Sequence, residues 1–462
     1  MSLFDCRGVP VSTTSRASLE RYEQAVELSA GYYLDPMTVI QEALEEEPDF
    51  AAAHLVRAAL VVTATDKAGV PMLRESVAAI ERLGRRANER ERAHAAAARA
   101  WLEGDFADAV CRYGDILLEY PHDLLALQVA HLGDFYLGAS TMLRDRVAQI
   151  LPLWDASTPG YNFVLGMYAF GLEETGAYSR AEDTGRQALE LNPRDPWAVH
   201  AVAHVMEMQG RLREGVTWLV ERQKDWAPNN GFAFHNWWHL ALYHLDIGNI
   251  SEVLSLYDSQ IRPADSRVPL EMIDASALLW RLYLRDVDVG HRWSALSAAW
   301  ESCAEDAYYA FNDVHAVMAF VGAQQLDRAL KTLAVMERRS ADTDTNAVMT
   351  REVGLPVARA LVDFGVGRYE ACVERLLSVR TVTNRFGGSN AQRDLIHLTL
   401  VEAALRAGKI KLARALAAER TQLKPTSPFN WHLTARVHES MGEHERAARA
   451  RESAEARRRV VL

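Results

Sequence analysis

Cysteine is scarce in this chain of 462 residues: four occur, Cys6, Cys111, Cys303 and Cys372, and none stands at a paired spacing. That excludes a disulfide framework and a thiolate metal site, and it points to a reducing compartment. Long apolar runs are also lacking. No window holds the roughly 18 apolar residues that a membrane-spanning helix needs, so no membrane partner is expected. The opening MSLFDCRGVPVSTTSRAS lacks the basic-then-apolar pattern of a secretory leader, and a cytoplasmic location is the expectation. Positive charge is in deficit, with 51 Lys and Arg against 62 Asp and Glu and a formal net charge of −11. Nucleic-acid binding relies on clustered cations that displace counterions, so nucleic acid is not an expected partner.

What is present is an ordinary globular composition, 49% hydrophobic and 24% charged, in a chain too long for one simple core. Such a chain either splits into domains or grows by stacking repeats that touch only their neighbours. A phrase recurs: Gly, a polar residue, a bulky apolar residue, then Ala at helical spacing. It reads GDFADAV at Gly104, GAYSRAE at Gly176, GRLREGV at Gly210, GNISEVL at Gly248, GRYEACV at Gly367 and GKIKLARAL at Gly408. Gly176 to Gly210 and Gly408 to Gly442 are each 34 residues, and Gly210 to Gly248 is 38. This is the tetratricopeptide period. Proline corners at Pro121, Pro193 and Pro425 stop one helix and start the next.

The pattern predicts an all-α, tetratricopeptide-like helical-repeat solenoid, read as a single α-α superhelix over 1–462 with no strand required. Regular repeats fall at about 104–258 and 367–445, with longer, irregular ones at about 259–366. An N-terminal cap is expected at about 1–50 and a C-terminal capping helix at about 446–462, where Arg457, Arg458 and Arg459 suit the negative end of a helix dipole.

The strings HAVAHVMEMQGR, FHNWWHLALYHLDIGN, FNDVHAVMAF, REVGLPVARALVDF and GGSNAQRD occur in this order. Here the chain resembles the family of tetratricopeptide repeat protein 38, over roughly Tyr33 to Pro428. The resemblance implies a helical-repeat fold and brings no catalytic mechanism with it.

Histidines carry the functional expectation. His131 lies 7 residues before Gly138, His204 lies 6 before Gly210, His239 lies 9 before Gly248 and His315 lies 7 before Gly322, so each occupies a similar phase on a first helix. His200 precedes His204, and His235 precedes His239, by four residues, which places each pair on one helix face about 6 Å apart. The expectation is that His200, His204, His235, His239 and His315 surround one concave cavity as ligands or acid/base groups. Glu207, three residues after His204, offers a carboxylate, and Asp134, three after His131, is placed to fix that ring's tautomer. Asp313 flanks His315.

Imidazole and carboxylate suit a divalent transition metal, with His200, His204, His235 and His239 as its ligands, although neither pair has the zincin Glu after its first His. Trp237 and Trp238 sit among many aromatics as candidate walls for a small molecule, but adjacent residues cannot both face it. Asn390 and Arg393, in GGSNAQRD at a helix start, are either an anion clamp or a plain helix cap. The functional expectation is therefore binding of a small molecule or metal ion, with or without His- or metal-dependent chemistry. The alternative is a scaffold whose groove holds a peptide or protein partner.

Overall fold

The computed structural model describes residues 3–461. Among these residues the regular structure is helical, apart from one two-stranded hairpin of Leu3–Phe4 with Pro10–Val11 and an isolated bridge between Tyr33 and Asn230. The two-residue strands of this hairpin leave the all-α class unchanged. Consecutive helices form pairs, for example Leu124–Tyr136 with Ser140–Ile150, Pro196–Met208 with Leu212–Glu221, and Asn390–Arg406 with Ile410–Leu423.

The two helices of a pair differ in kind. Leu124–Tyr136 buries almost every residue, polar ones included, whereas Ser140–Ile150 buries only Leu143, Arg146, Val147 and Ile150. First helices are packed from all sides, and second helices keep a solvated face. A histidine in the middle of a first helix therefore lies in the core.

The turns follow the glycines. Gly176 and Gly210 take φ of 81° and 67°, a left-handed conformation that closes the first helix without the steric cost of a Cβ. The pair Ala310–Gly322 and Leu326–Arg339 departs from this rule. Its left-handed residue is Gln324, φ 59°, whereas Gly322 stays helical and is glycine for a packing reason, since a Cβ there would meet the Trp293 ring at 2.3 Å. The landmark for His315 is thus Gln324, nine residues on, which matches the nine from His239 to Gly248.

The proline corners are also capping sites. After Pro121, Asp123 accepts from the Ala126 N–H, and after Pro193, Asp195 accepts from Trp197 and Ala198. Ser427 caps the helix that starts at Pro428. The irregular middle contains two wide turns, Tyr257–Ile261 and Thr350–Gly354, whose extra residue breaks the period.

The chain divides into two compact units. The first comprises residues up to Val202 with Lys224–Ala233 and Asp344–Asn346, and the second comprises Ala203–Gln223, Phe234–Thr343 and the chain from Ala347 on. The expected N-terminal cap is itself a helix pair, Arg16–Ala30 and Pro36–Glu46. The C-terminal helix His444–Val461 carries Arg457 over the Trp431 ring, with Nε donating to the Pro425 carbonyl at 2.6 Å.

Candidate functional site

The second unit assembles three imidazoles. His204 comes from Pro196–Met208, while His235 and His239 come from one face of Ala233–Ile247. Their donor nitrogens all lie within 4.8 Å of one another. The His204 and His239 rings are 4.4 Å apart, and His235 stands perpendicular to His239 at 4.9 Å. His204 and His239 are fully buried and His235 is 8% exposed.

Two carboxylates hold two of these rings. His239 Nδ1–H donates to Glu207 Oε2 at 2.9 Å, and His235 Nδ1–H donates to Asp274 Oδ2 at 2.6 Å. A carboxylate on Nδ1 fixes the tautomer and places the basic lone pair on Nε2. Glu207, expected from its stripe beside His204, thus serves the neighbouring helix instead. Trp238 closes one side, stacked on His235 at 5.3 Å and edge-on to His239 at 4.9 Å, and the Arg281 guanidinium lies over its ring. Trp237 is buried too, but a quarter-turn away. Burial, then the neighbouring His204 and His235, hold His239 well below the ordinary histidine range. Its ring is neutral at pH 7, as a metal ligand or a general base must be.

His200, one turn before His204, belongs to the first unit and packs against Phe170, Trp197 and Phe232 at 5.2, 4.9 and 5.1 Å. His131, also in the first unit, meets Phe170 and Trp197, and neither of its nitrogens makes a well-formed hydrogen bond. The expected Asp134 partnership fails because Asp134 is claimed by Arg146, at 2.6 and 3.1 Å. Burial, then the Arg146 charge, push His131 down to about 3.

His315 is not in the imidazole group: its Nδ1–H donates to the Phe311 carbonyl of its own helix at 2.7 Å, and burial first pushes its pKa down to about 4. Asp313, two residues earlier, is buried but directed to another side of that helix. Arg393 turns back on its own helix start, bonding the Gly388 carbonyl and Asn390 Oδ1, while Ser389 and Gln392 form a capping box. Ser389 and Gln392 thus cap this helix start, and Arg393 is engaged beside them.

Sequence reasoning missed Asp274 and Arg281. A signal was available: they are charges seven residues apart on an otherwise apolar segment, IDASALLWR, which places both on one buried face.

No family model matches the chain. Among solved structures it is similar to a human IFIT1 dimer with PPP-AAAA, at 12% identity over 95% of this chain and 94% of that one, TM-score 0.41. Yeast Tom70 aligns at 14% identity over 96% and 90%, TM-score 0.32. The Cut9–Hcn1 hetero-tetramer of APC/C aligns at 12% over 96% and 94%, TM-score 0.30. Likeness this remote carries no functional argument. The helix pairs, their left-handed turns and their period define a tetratricopeptide-like, all-α helical-repeat protein.

Proposed function

We propose that the second unit holds a divalent transition-metal ion on His204, His235 and His239 and uses it on a small-molecule ligand. Membership of the tetratricopeptide repeat protein 38 family and a cytoplasmic location belong to the same reading. The observation that carries it is the pairing of convergent imidazoles with carboxylates on the far side of two rings. That arrangement orients metal-ligating histidines and raises their basicity. All-imidazole donors suit zinc, copper, nickel or iron(II). At a metal–nitrogen distance of about 2.0–2.1 Å, tetrahedral donors stand roughly 3.4 Å apart, so donor nitrogens now within 4.8 Å need draw in by at most about 1.4 Å. When bound, such an ion supplies Lewis-acid polarisation. The chain's own groups orient the rings through Glu207 and Asp274 and exclude bulk water with Trp238.

The test is metal analysis of protein purified without chelator, together with titration of the metal-free protein by Co²⁺ and Zn²⁺. One equivalent of metal is expected in wild type, and none in His204→Ala or His239→Ala. Glu207→Gln should weaken affinity by roughly 10–100-fold while leaving all ligands in place. Wild-type protein that neither retains nor takes up an ion sinks the reading.

A further inference from the structure

Beside the histidine centre, in the same unit, lies an inner chamber of about 50 Å³. Four cations line it: Arg281, Arg285, Arg420 and Lys424. Its three carboxylates are all engaged. Glu207 accepts from His239, with Lys424 Nζ 3.7 Å away; Asp246 accepts from Ser427 Oγ at 2.6 Å; Asp394 takes a two-pronged contact from Arg420 at 2.7 and 3.1 Å.

Among the described residues, two guanidiniums make no hydrogen bond to a carboxylate. Arg281, 4% exposed, donates only to the backbone carbonyls of Ala277 and Ala391, at 3.1 and 2.7 Å. Arg285 donates to the Leu245 carbonyl at 2.6 Å and stacks on Phe429, 3.6 Å from the ring centre. Burying a cation without a counter-ion costs several kcal/mol, and burial pushes Arg285 down to about 9. The fold leaves that cost in full at buried Arg281 and in part at half-buried Arg285, both facing one cavity.

The chamber shares Asp246, Arg285 and Phe429 with an outer cleft of about 480 Å³, whose walls add Ile247, Ile250, Val287 and Pro428. The inner space suits about four water-sized spheres, or one carboxylate or phosphate group, and the outer cleft has room for an organic body.

We infer that this chamber seats the oxyanion head of a small amphipathic organic anion between Arg281 and Arg285, with its apolar body against Ile247, Ile250 and Val287. The inference stands on the two arginines and goes beyond the metal reading. Planar, weakly hydrated guanidiniums bind oxyanions in two-pronged fashion, and each such charge-assisted contact is strong where water is excluded. The anion would displace ordered water and neutralise charge that the chain leaves unmatched.

Calorimetric titration of chelator-treated, full-length protein tests it, with octanoate, inorganic phosphate and neutral octanol as probes. Removing the metal makes this outcome independent of the histidine centre. Saturable binding of octanoate, and none of octanol, is expected at one site. Arg285→Met, at the chamber's edge, should weaken binding by roughly tenfold or more, and Arg285→Lys should restore part of it. Arg281→Met, where it folds, should abolish binding. Phosphate binding without octanoate binding identifies the head as phosphate, and the reverse identifies a carboxylate with an apolar body. If neither anion binds up to about 10 mM, or the affinity of Arg285→Met equals wild type, the chamber is not an anion site.

Discussion

Each unit buries a histidine against a carboxylate, and the two arrangements end differently. In the first unit Asp123 accepts from His94 Nε2–H at 2.7 Å and faces Arg90 Nε at 3.6 Å, while Arg90 also donates to the Tyr22 hydroxyl at 2.9 Å. Burial by itself would raise the Asp123 carboxyl, yet Arg90 and His94 hold it below the usual range. The same carboxylate caps Leu124–Tyr136 through the Ala126 N–H. Each charge of this group faces an opposite one within it, as a structural network does. In the second unit Glu207 and Asp274 each orient one ring, and those rings converge with a third. A buried His–carboxylate pair is therefore no site by itself, and the metal proposal rests on the convergence of further imidazoles.

Three experiments bear on that contrast. The largest effect should come from Asp123→Ala, which strands the Arg90 charge and removes a cap. A loss of about 3–5 kcal/mol in denaturant unfolding is expected, more than for Glu207→Gln. Equal costs at the two positions would erase the distinction between a structural and a functional carboxylate.

A smaller effect concerns His131, buried among rings without a carboxylate. Its folded pKa of about 3 lies below that of the unfolded chain, near 6.5. Its contribution is fully present above about 6.5 and is lost as pH falls toward 3, because only the unfolded state then takes up the proton. His131→Leu should flatten the decline of stability between those values by up to about 1.4 kcal/mol per pH unit. Identical slopes would show that His131 is already protonated in the core.

The smallest change is Gln324→Gly, which relieves a left-handed non-glycine residue and gives this turn the glycine found at Gly176 and Gly210. A gain of about 1 kcal/mol is expected in thermal or denaturant unfolding. A loss would mean that the glutamine side chain contributes more than the strained backbone costs.

The helix pairs, their glycine turns and their proline corners were legible in the amino-acid sequence, because each depends on a few neighbouring residues: a glycine turn at Gly210, a proline corner at Pro193, a 34-residue spacing from Gly176. The phase that puts His235 and His239 on one face is likewise a local property of one helix. Contacts between distant segments were decided only in three dimensions. The sequence pairs Glu207 with His204 and Asp134 with His131, yet the fold gives Glu207 to His239, 32 residues away, and Asp134 to Arg146. It draws Asp274 to His235 across 39 residues and leaves His315 bonded to its own helix. Short-range spacing sets which way a side chain leaves its helix, whereas the partner it meets depends on how neighbouring pairs pack, and a buried carboxylate goes to the donor that packing brings closest.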